Sequence, residues 1–279
     1  MTFKFKVAAA AVALLAVGAA QAQKAPEPDY TLTANVGAVS QYRFRGIEQT
    51  SGAPALQAGL DFAHKNGFYA GLFTSNVTWV RDFNGATSGE REVDLFLGVK
   101  TEIANGLMLD IGAIEYTYPG NNSGLAGTPG TPVSTTTPSY VNANTTEGYF
   151  GLTYGITSFK YSQSFGDFLG NYGTNGSRYI ELALNIDIGN GMTLVPHIGR
   201  QTVANVINAG PTFVTNADYT DYSLTLNKDF GNGWSASVAA IGTNAQQGGF
   251  YTTTPSANPS GVNRFLGSNT GVVGVKYTF

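Results

Sequence analysis

The chain of 279 residues has no cysteine, 2 histidines, 3 methionines and 2 tryptophans, and only 12% of it is charged. Without cysteine there is neither a disulfide framework nor a thiolate metal site. The two histidines, His64 and His197, are far apart in sequence and form no pair at ligand spacing. No complete phosphate loop occurs, because the glycine-rich stretch at residues 166–176 opens no helical pattern. Beyond residue 20 no apolar run is long enough for a transmembrane helix, so membrane insertion would require a closed barrel, in which every backbone polar group is paired. These absences argue against metal, nucleotide and other cofactor chemistry.

The N-terminus reads as a secretory signal peptide. Lys4 and Lys6 precede an apolar run over residues 7–20, which ends in the small-x-small pattern Ala20-Gln21-Ala22. That run is shorter than the roughly 20 apolar residues a helical span needs. Removing residues 1–22 leaves 13 basic against 18 acidic residues, a balance of −5 that does not suit a nucleic-acid binder. Residues 23–29 are polar, contain two prolines and read as a periplasmic lead-in; residues 30–279 remain for one folded unit.

What is abundant is glycine, 36 residues, together with 15 tyrosines and 17 phenylalanines. In the last nine residues, Val273, Val275, Tyr277 and Phe279 share one face by the two-residue period of a strand, and Gly274, Lys276 and Thr278 share the other. The same alternation sets Leu32, Ala34, Val36 and Ala38 against Thr33, Asn35 and Gly37. It also sets Leu56, Ala58, Leu60 and Phe62 against Gln57, Gly59 and Asp61; Val93, Leu95, Leu97 and Val99 against Asp94, Gly98 and Lys100; and Ile180, Leu182, Leu184, Ile186 and Ile188 against Glu181, Asn185 and Asp187. Residues 68–80 carry apolar groups on both faces, and their phase is open.

Asn-Gly recurs at 66–67, 105–106, 190–191 and 232–233, with spacings of 39, 85 and 42 residues. Asn-Gly is the strongest short hairpin signal, because both residues tolerate positive φ. Gly155-Ile156-Thr157-Ser158 supplies the turn missing from the longest interval. Five tight turns therefore divide the chain into six strand pairs. The other connections, at residues 43–52, 81–90, 119–144, 166–177, 204–218 and 244–268, are long and polar, as solvated loops are. Propeller blades share a period near 40 but hold four short strands where these units hold two long ones. The expectation is an all-β fold: an antiparallel transmembrane β-barrel of about 12 strands with short periplasmic turns and long extracellular loops.

Residues 40–62 read S-Q-Y-R-F-R-G-I-E-Q-T-S-G-A-P-A-L-Q-A-G-L-D-F, and residues 67–77 read G-F-Y-A-G-L-F-T-S-N-V. This resembles the TorF-type porin family of proteobacteria, most specifically in Y-R-F-R-G-I-x-Q-T and the following P-A-x-Q-x-G. Weaker agreement continues at Glu92, Asp94, Asp110, Gly112, residues 116–120, Glu147-Gly148-Tyr149, His197 and Gly199. The resemblance implies an outer-membrane barrel and a pore, and carries no catalytic or substrate residues. In such barrels the C-terminal aromatic strand is read by the assembly machinery, so Phe279 is the expected contact with that partner; lipids of the outer membrane and small solutes or ions are the others.

The candidate pore-lining residues are Arg43, Arg45, Asp61, Asp94, Lys100 and Glu181. If the phase of β-alternation from Leu32 persists, Arg43 and Arg45 point inward at the barrel mouth and Tyr42 and Phe44 join the outer aromatic girdle. The arginines then form either a charged constriction or braces to an acid such as Asp61, Asp94, Glu48 or Glu181. Small inward residues, among them Gly37, Gly98, Gly112, Gly199 and Gly274, suit a narrow water-filled lumen or relieve crowding in a curved sheet. A hydrolase would need a histidine near the outer leaflet, whereas His64 and His197 both follow or flank periplasmic turns. The functional expectation is passive diffusion of small hydrophilic solutes or ions. A non-conducting structural or adhesive barrel is the alternative, and monomeric and trimeric barrels share this alternation.

Overall fold

The computed structural model describes residues 28–124, 140–205, 217–253, 261 and 263–279. The proposed signal peptide and most of the lead-in lie outside the described residues, as does most of the Thr-rich stretch after Gly124.

In chain order the strands are β1 (Tyr30–Val39), β2 (Arg43–Phe44), β3 (Ile47–Glu48), β4 (Ala55–His64), β5 (Phe68–Asn76), β6 (Arg91–Ala104), β7 (Leu107–Thr117), β8 (Thr145–Tyr154), β9 (Thr157–Ser164), β10 (Arg178–Leu184), β11 (Ile186–Gly189), β12 (Met192–Thr202), β13 (Tyr219–Gly231), β14 (Trp234–Thr243) and β15 (Thr270–Thr278). One four-residue helix, α1 (Trp79–Asp82), and a 3-10 turn at Phe168–Gly170 are the only helical elements among the described residues. Neighbours in sequence pair antiparallel all the way round. β10 and β11 both pair with β12 and are halves of one strand interrupted at Asn185, so the sheet has twelve strands. The ring closes where β1 pairs with β15, from Asn35 opposite Thr278 to Val39 opposite Gly274. The expectation of a closed antiparallel barrel holds.

The outer face carries the apolar half of the alternation. Leu32, Val36, Leu56, Leu60, Leu95, Leu97, Val99, Ile111, Ile180, Leu182, Ile198, Leu224, Val238, Val273 and Val275 are all exposed on it. A soluble protein rarely leaves so continuous an apolar surface uncovered, but a hydrocarbon solvent favours it. At the turn end this band is bounded by exposed Tyr30, Phe68, Tyr154, Phe230, Trp234 and Phe279. The phase of residues 68–76 is now fixed: Leu60 opposite Leu72 places Phe68 and Leu72 outward, and Tyr69 and Phe73 inward.

All five tight turns occur where the sequence places them. Asn190-Gly191 (φ 55° and 70°) and Asn232-Gly233 (φ 52° and 83°) use positive φ at both positions. At Asn66-Gly67 and Asn105-Gly106 only the glycine does so.

The long loops depart from expectation. They were expected to be solvated, yet their apolar residues pack together over the opposite end. Val77, Trp79, Val80, Ala86, Tyr116, Tyr118 and Ala143 form one buried cluster. Ile47, Tyr219 and Leu266 form a second, and Phe168, Val203 and Ala217 a third. Edge-to-face contacts run within and between these clusters: Trp79 with Tyr118 at 5.0 Å, Phe83 with Phe250 at 5.2 Å and Tyr219 with Tyr251 at 4.9 Å. Such geometry adds to the energy of area burial.

Candidate functional site

The centre of the site is the first long loop, which turns into the barrel. The outward phase of β1 ends at Val39. The ribbon β2–β3 then pairs Arg43 with Glu48 and Phe44 with Ile47, leaving Arg45-Gly46 as a two-residue tip at φ 49° and 78°. Left-handed backbone at a residue such as arginine costs roughly 1–2 kcal/mol, so its surroundings must hold it there. Arg45 donates from Nη2 to Glu147 Oε2 at 2.6 Å and from Nη1 to Glu147 Oε1 at 3.0 Å and Gln201 Oε1 at 2.9 Å. Its guanidinium also lies 4.3 Å from the Tyr179 ring centroid and 4.7 Å from that of Phe44. Burial works against the Arg45 charge, but the Glu147 carboxylate, together with Tyr116 and Tyr219, outweighs it and holds the pKa above the ordinary guanidinium value. At Gly46 a side chain would collide with Asp221 Cβ and Thr243 Cγ2, each at 2.7 Å, so the tip is pressed against the inner wall of β13 and β14.

The rest of the ribbon is held as firmly. Arg43 donates to three backbone carbonyls, those of Gly46, Leu266 and Ser268, at 2.9–3.1 Å, and lies 3.9 Å from Glu48. Burial of Arg43 lowers its pKa, with Arg264 adding to the effect and Glu48 opposing it. Arg264, from the last long loop, donates to both Glu48 oxygens at 2.6 and 3.1 Å. Tyr42 gives its hydroxyl hydrogen to Glu92 at 2.6 Å, and Tyr118 donates to the other Glu92 oxygen at 2.8 Å. Burial first, and the Glu92 charge second, push both phenols well above their ordinary pKa. The expectation that Tyr42 and Phe44 join the outer girdle is therefore wrong. Phe44 packs edge-on against inward-facing Tyr116 at 5.4 Å, because the chain leaves the wall after Val39 and the alternation does not continue.

The expected lumen residues separate into three places. Arg43, Arg45 and Glu181 line one chamber of about 320 Å³ beneath the ribbon, together with Lys160, Ser162, His197, Asp221 and Ser223. Asp94 is buried beside Glu92 near the loop end, with its Oδ1 unpartnered. Asp61 and Lys100 lie nearer the turn end. Asp61 shares the Gln57 and Gly59 face of β4, and Lys100 opposes Asp110. None of the four acids considered for Arg45 is its partner, since Glu147 takes that place. His197 is also displaced from expectation. It lies midway along β12 and faces the lumen, with Nε2 3.1 Å from Glu181 Oε2 and Nδ1 3.6 Å from Asp221 Oδ1.

The inward glycines divide between the two roles expected of them. A Cβ at Gly98, Gly112 or Gly199 would strike the hydroxyl of Tyr69, Tyr149 or Tyr179, so these glycines seat rings that fill one side of the lumen. The Tyr69 and Tyr149 hydroxyls lie 2.6 Å apart, and Tyr69 donates to Asp110 at 2.6 Å. Gly37 and Gly274 instead line a second cavity of about 640 Å³ at the turn end, with Asn35, Gln57, Asn227, Asp229 and Lys276. Among the described residues no group of three or more His, Asp or Glu side chains is placed to hold a metal ion.

A family of bacterial proteins described as of unknown function (Gcw_chp) matches residues 22–279. The chain belongs to this family. No curated protein matches the sequence. Among solved structures, a KdgM porin in complex with disordered oligogalacturonate superposes with a TM-score of 0.52 at 8% identity, over 88% of this chain and 99% of that one. A NanC porin gives 0.49 at 10% identity, over 88% and 99%. The toluene transporter TodX of P. putida gives 0.48 at 12% identity, over 90% of each chain. At such identity the likeness to the KdgM porin shows a shared fold, so this member of the family has a closed barrel of that kind.

Proposed function

We propose that the protein is an outer-membrane channel for passive diffusion of small hydrophilic solutes or ions, exported with a signal peptide cleaved after Ala22, and that it is not an enzyme. The tight turns and both chain termini then face the periplasm and the packed loops face the exterior. One observation carries the reading: the two cavities follow each other down the same wall. Asp221 and Ser223 of β13 line the chamber beneath the ribbon, and Asn227 and Asp229 line the cavity at the turn end, so that only inward Thr225 separates them. The porin fold, and the likeness of residues 42–50 to TorF-type porins, favour the same conclusion.

A second reading, a non-conducting barrel, is favoured by the ribbon clamped across the mouth by Arg45 and Glu147. Planar-bilayer recording of the refolded protein decides between them. Reproducible unitary steps are expected, with a reversal potential under a salt gradient. A folded, inserted barrel that never conducts overturns the channel. Mass spectrometry of the exported chain should find it beginning at Gln23.

A further inference from the structure

We infer that the chamber beneath the ribbon is a binding site for a small zwitterion, a solute with an ammonium and a carboxylate a few bonds apart. The inference rests on reading the lumen as a solute route and names what that route recognises. Lys160 on β9 and Glu181 on β10 are directly opposed in register, on the inward face, and both line the 320 Å³ chamber. Opposite charges so placed would be expected to pair, yet among the described residues they form no ion pair. The Lys160 ammonium sits 4.1 Å from the Tyr149 ring centroid. Glu181 uses only Oε2, toward His197 Nε2 at 3.1 Å. Each charge therefore keeps hydrogen-bonding capacity toward the cavity.

The other charged groups of the chamber are already engaged. Arg45 is paired with Glu147 and hydrogen-bonded to Gln201. Arg43 is held by backbone carbonyls. Asp221 accepts from the Tyr179 hydroxyl at 2.9 and 3.1 Å. What remains is one positive and one negative group on adjacent strands. Ser162, 3% exposed, lines the same chamber and has no hydrogen-bond partner among the described residues. Its hydroxyl opens onto the cavity, so a polar guest can hydrogen-bond to it. A simple anion would meet Glu181 and Asp221 together. A simple cation would leave Lys160 unsatisfied. A zwitterion satisfies both groups, and two charges directly opposed on adjacent strands suit a solute whose own charges lie a few bonds apart.

The test is equilibrium dialysis of the refolded full barrel in detergent against L-alanine, with ethylammonium and propionate as single-charge halves. Saturable 1:1 binding of alanine is expected, with each half weaker by about tenfold or more, since a hydrogen bond to a charged group contributes about 1.5–3 kcal/mol. Lys160→Met should abolish the preference for alanine over ethylammonium, and Glu181→Gln its preference over propionate. Ethylammonium binding as tightly as alanine overturns the inference in favour of a plain cation site. Absence of saturable alanine binding to a barrel that keeps its folded electrophoretic mobility also overturns it. Should one variant fail to fold, the other variant and the wild-type competition with both halves still decide. A barrel that conducts but binds no alanine overturns the site and leaves the channel reading standing; one that binds alanine without conducting supports the site and overturns the channel.

Discussion

Arg45 and Glu147, 102 positions apart in sequence, meet as a bidentate ion pair inside the barrel mouth, with Nη2 to Oε2 at 2.6 Å and side chains 8% and 1% exposed. Removing one member of a buried pair leaves an uncompensated charge, which typically costs about 3–5 kcal/mol. Because the pair ties the ribbon tip to the far wall, Arg45→Gln should free the ribbon and raise unitary conductance. Arg45→Gln combined with Glu147→Gln should recover part of the lost stability, because no bare charge then remains. Urea unfolding of the refolded barrel measures the recovery, and bilayer recording measures the conductance. Unchanged conductance in the single variant would mean that the ribbon does not limit the pore.

The barrel was legible in the sequence because alternation, Asn-Gly turns and the closing aromatic strand are local signals. The ribbon was not. Carrying the phase of Leu32 forward gave Arg43 and Arg45 an inward direction but placed Tyr42 and Phe44 on the lipid side, since nothing local marks the departure of the chain from the wall after Val39. The partner Glu147 was equally hidden, because an ion pair across a lumen leaves no periodicity. Glu147 and Tyr149 had been singled out only by family resemblance, and both face the lumen. The loops misled for another reason: Trp79, Val80, Phe168 and Leu266 are few among Gly, Ser, Thr and Asn, yet each is buried.

Arg264 and Glu48 join the last long loop to the first, at 2.6 and 3.1 Å, and Glu48 is fully buried. Arg264→Met would leave that carboxylate with only Arg43, at 3.9 Å. A loss of about 1–3 kcal/mol in local stability follows. Limited proteolysis should show faster cleavage in residues 244–268 than in the wild type, with the barrel core intact. Equal cleavage rates would show that the loop is held by its aromatic contacts instead.

Phe279 extends the outer face of β15, and its backbone N–H donates to Ala34 O at 2.8 Å across the seam that closes the ring. Burying this side chain in lipid contributes at most roughly 1.5–3 kcal/mol, so the finished barrel should survive its deletion. The strand must nevertheless be captured and zipped to β1 during assembly. Deleting Phe279 should lower the amount of protein reaching the outer membrane while leaving the urea midpoint of refolded material little changed. Normal outer-membrane levels would remove the assembly role.

Gly199 and Tyr179 make the sharpest packing test of the inner wall. The Tyr179 ring lies across Gly199 so closely that a Cβ there would overlap its hydroxyl, and that hydroxyl is held by Asp221 at 2.9 and 3.1 Å. Gly199→Ala must therefore swing the ring away, which breaks the bond to Asp221 and strips Arg45 of the aromatic face beneath it. Overpacking of this kind costs typically about 1–3 kcal/mol. Tyr179→Ala removes both overlapping ring atoms, the hydroxyl oxygen and Cζ, so the same Gly199→Ala change should cost measurably less in that background, a coupling that a double-mutant cycle reports directly. Gly271 serves as the control, because a Cβ there meets nothing within 4 Å; Gly271→Ala should stay within about 0.5 kcal/mol of wild type. If Gly199→Ala and Gly271→Ala shift the urea midpoint equally, the tyrosine does not depend on the glycine beneath it, and the glycines of this wall serve only its curvature.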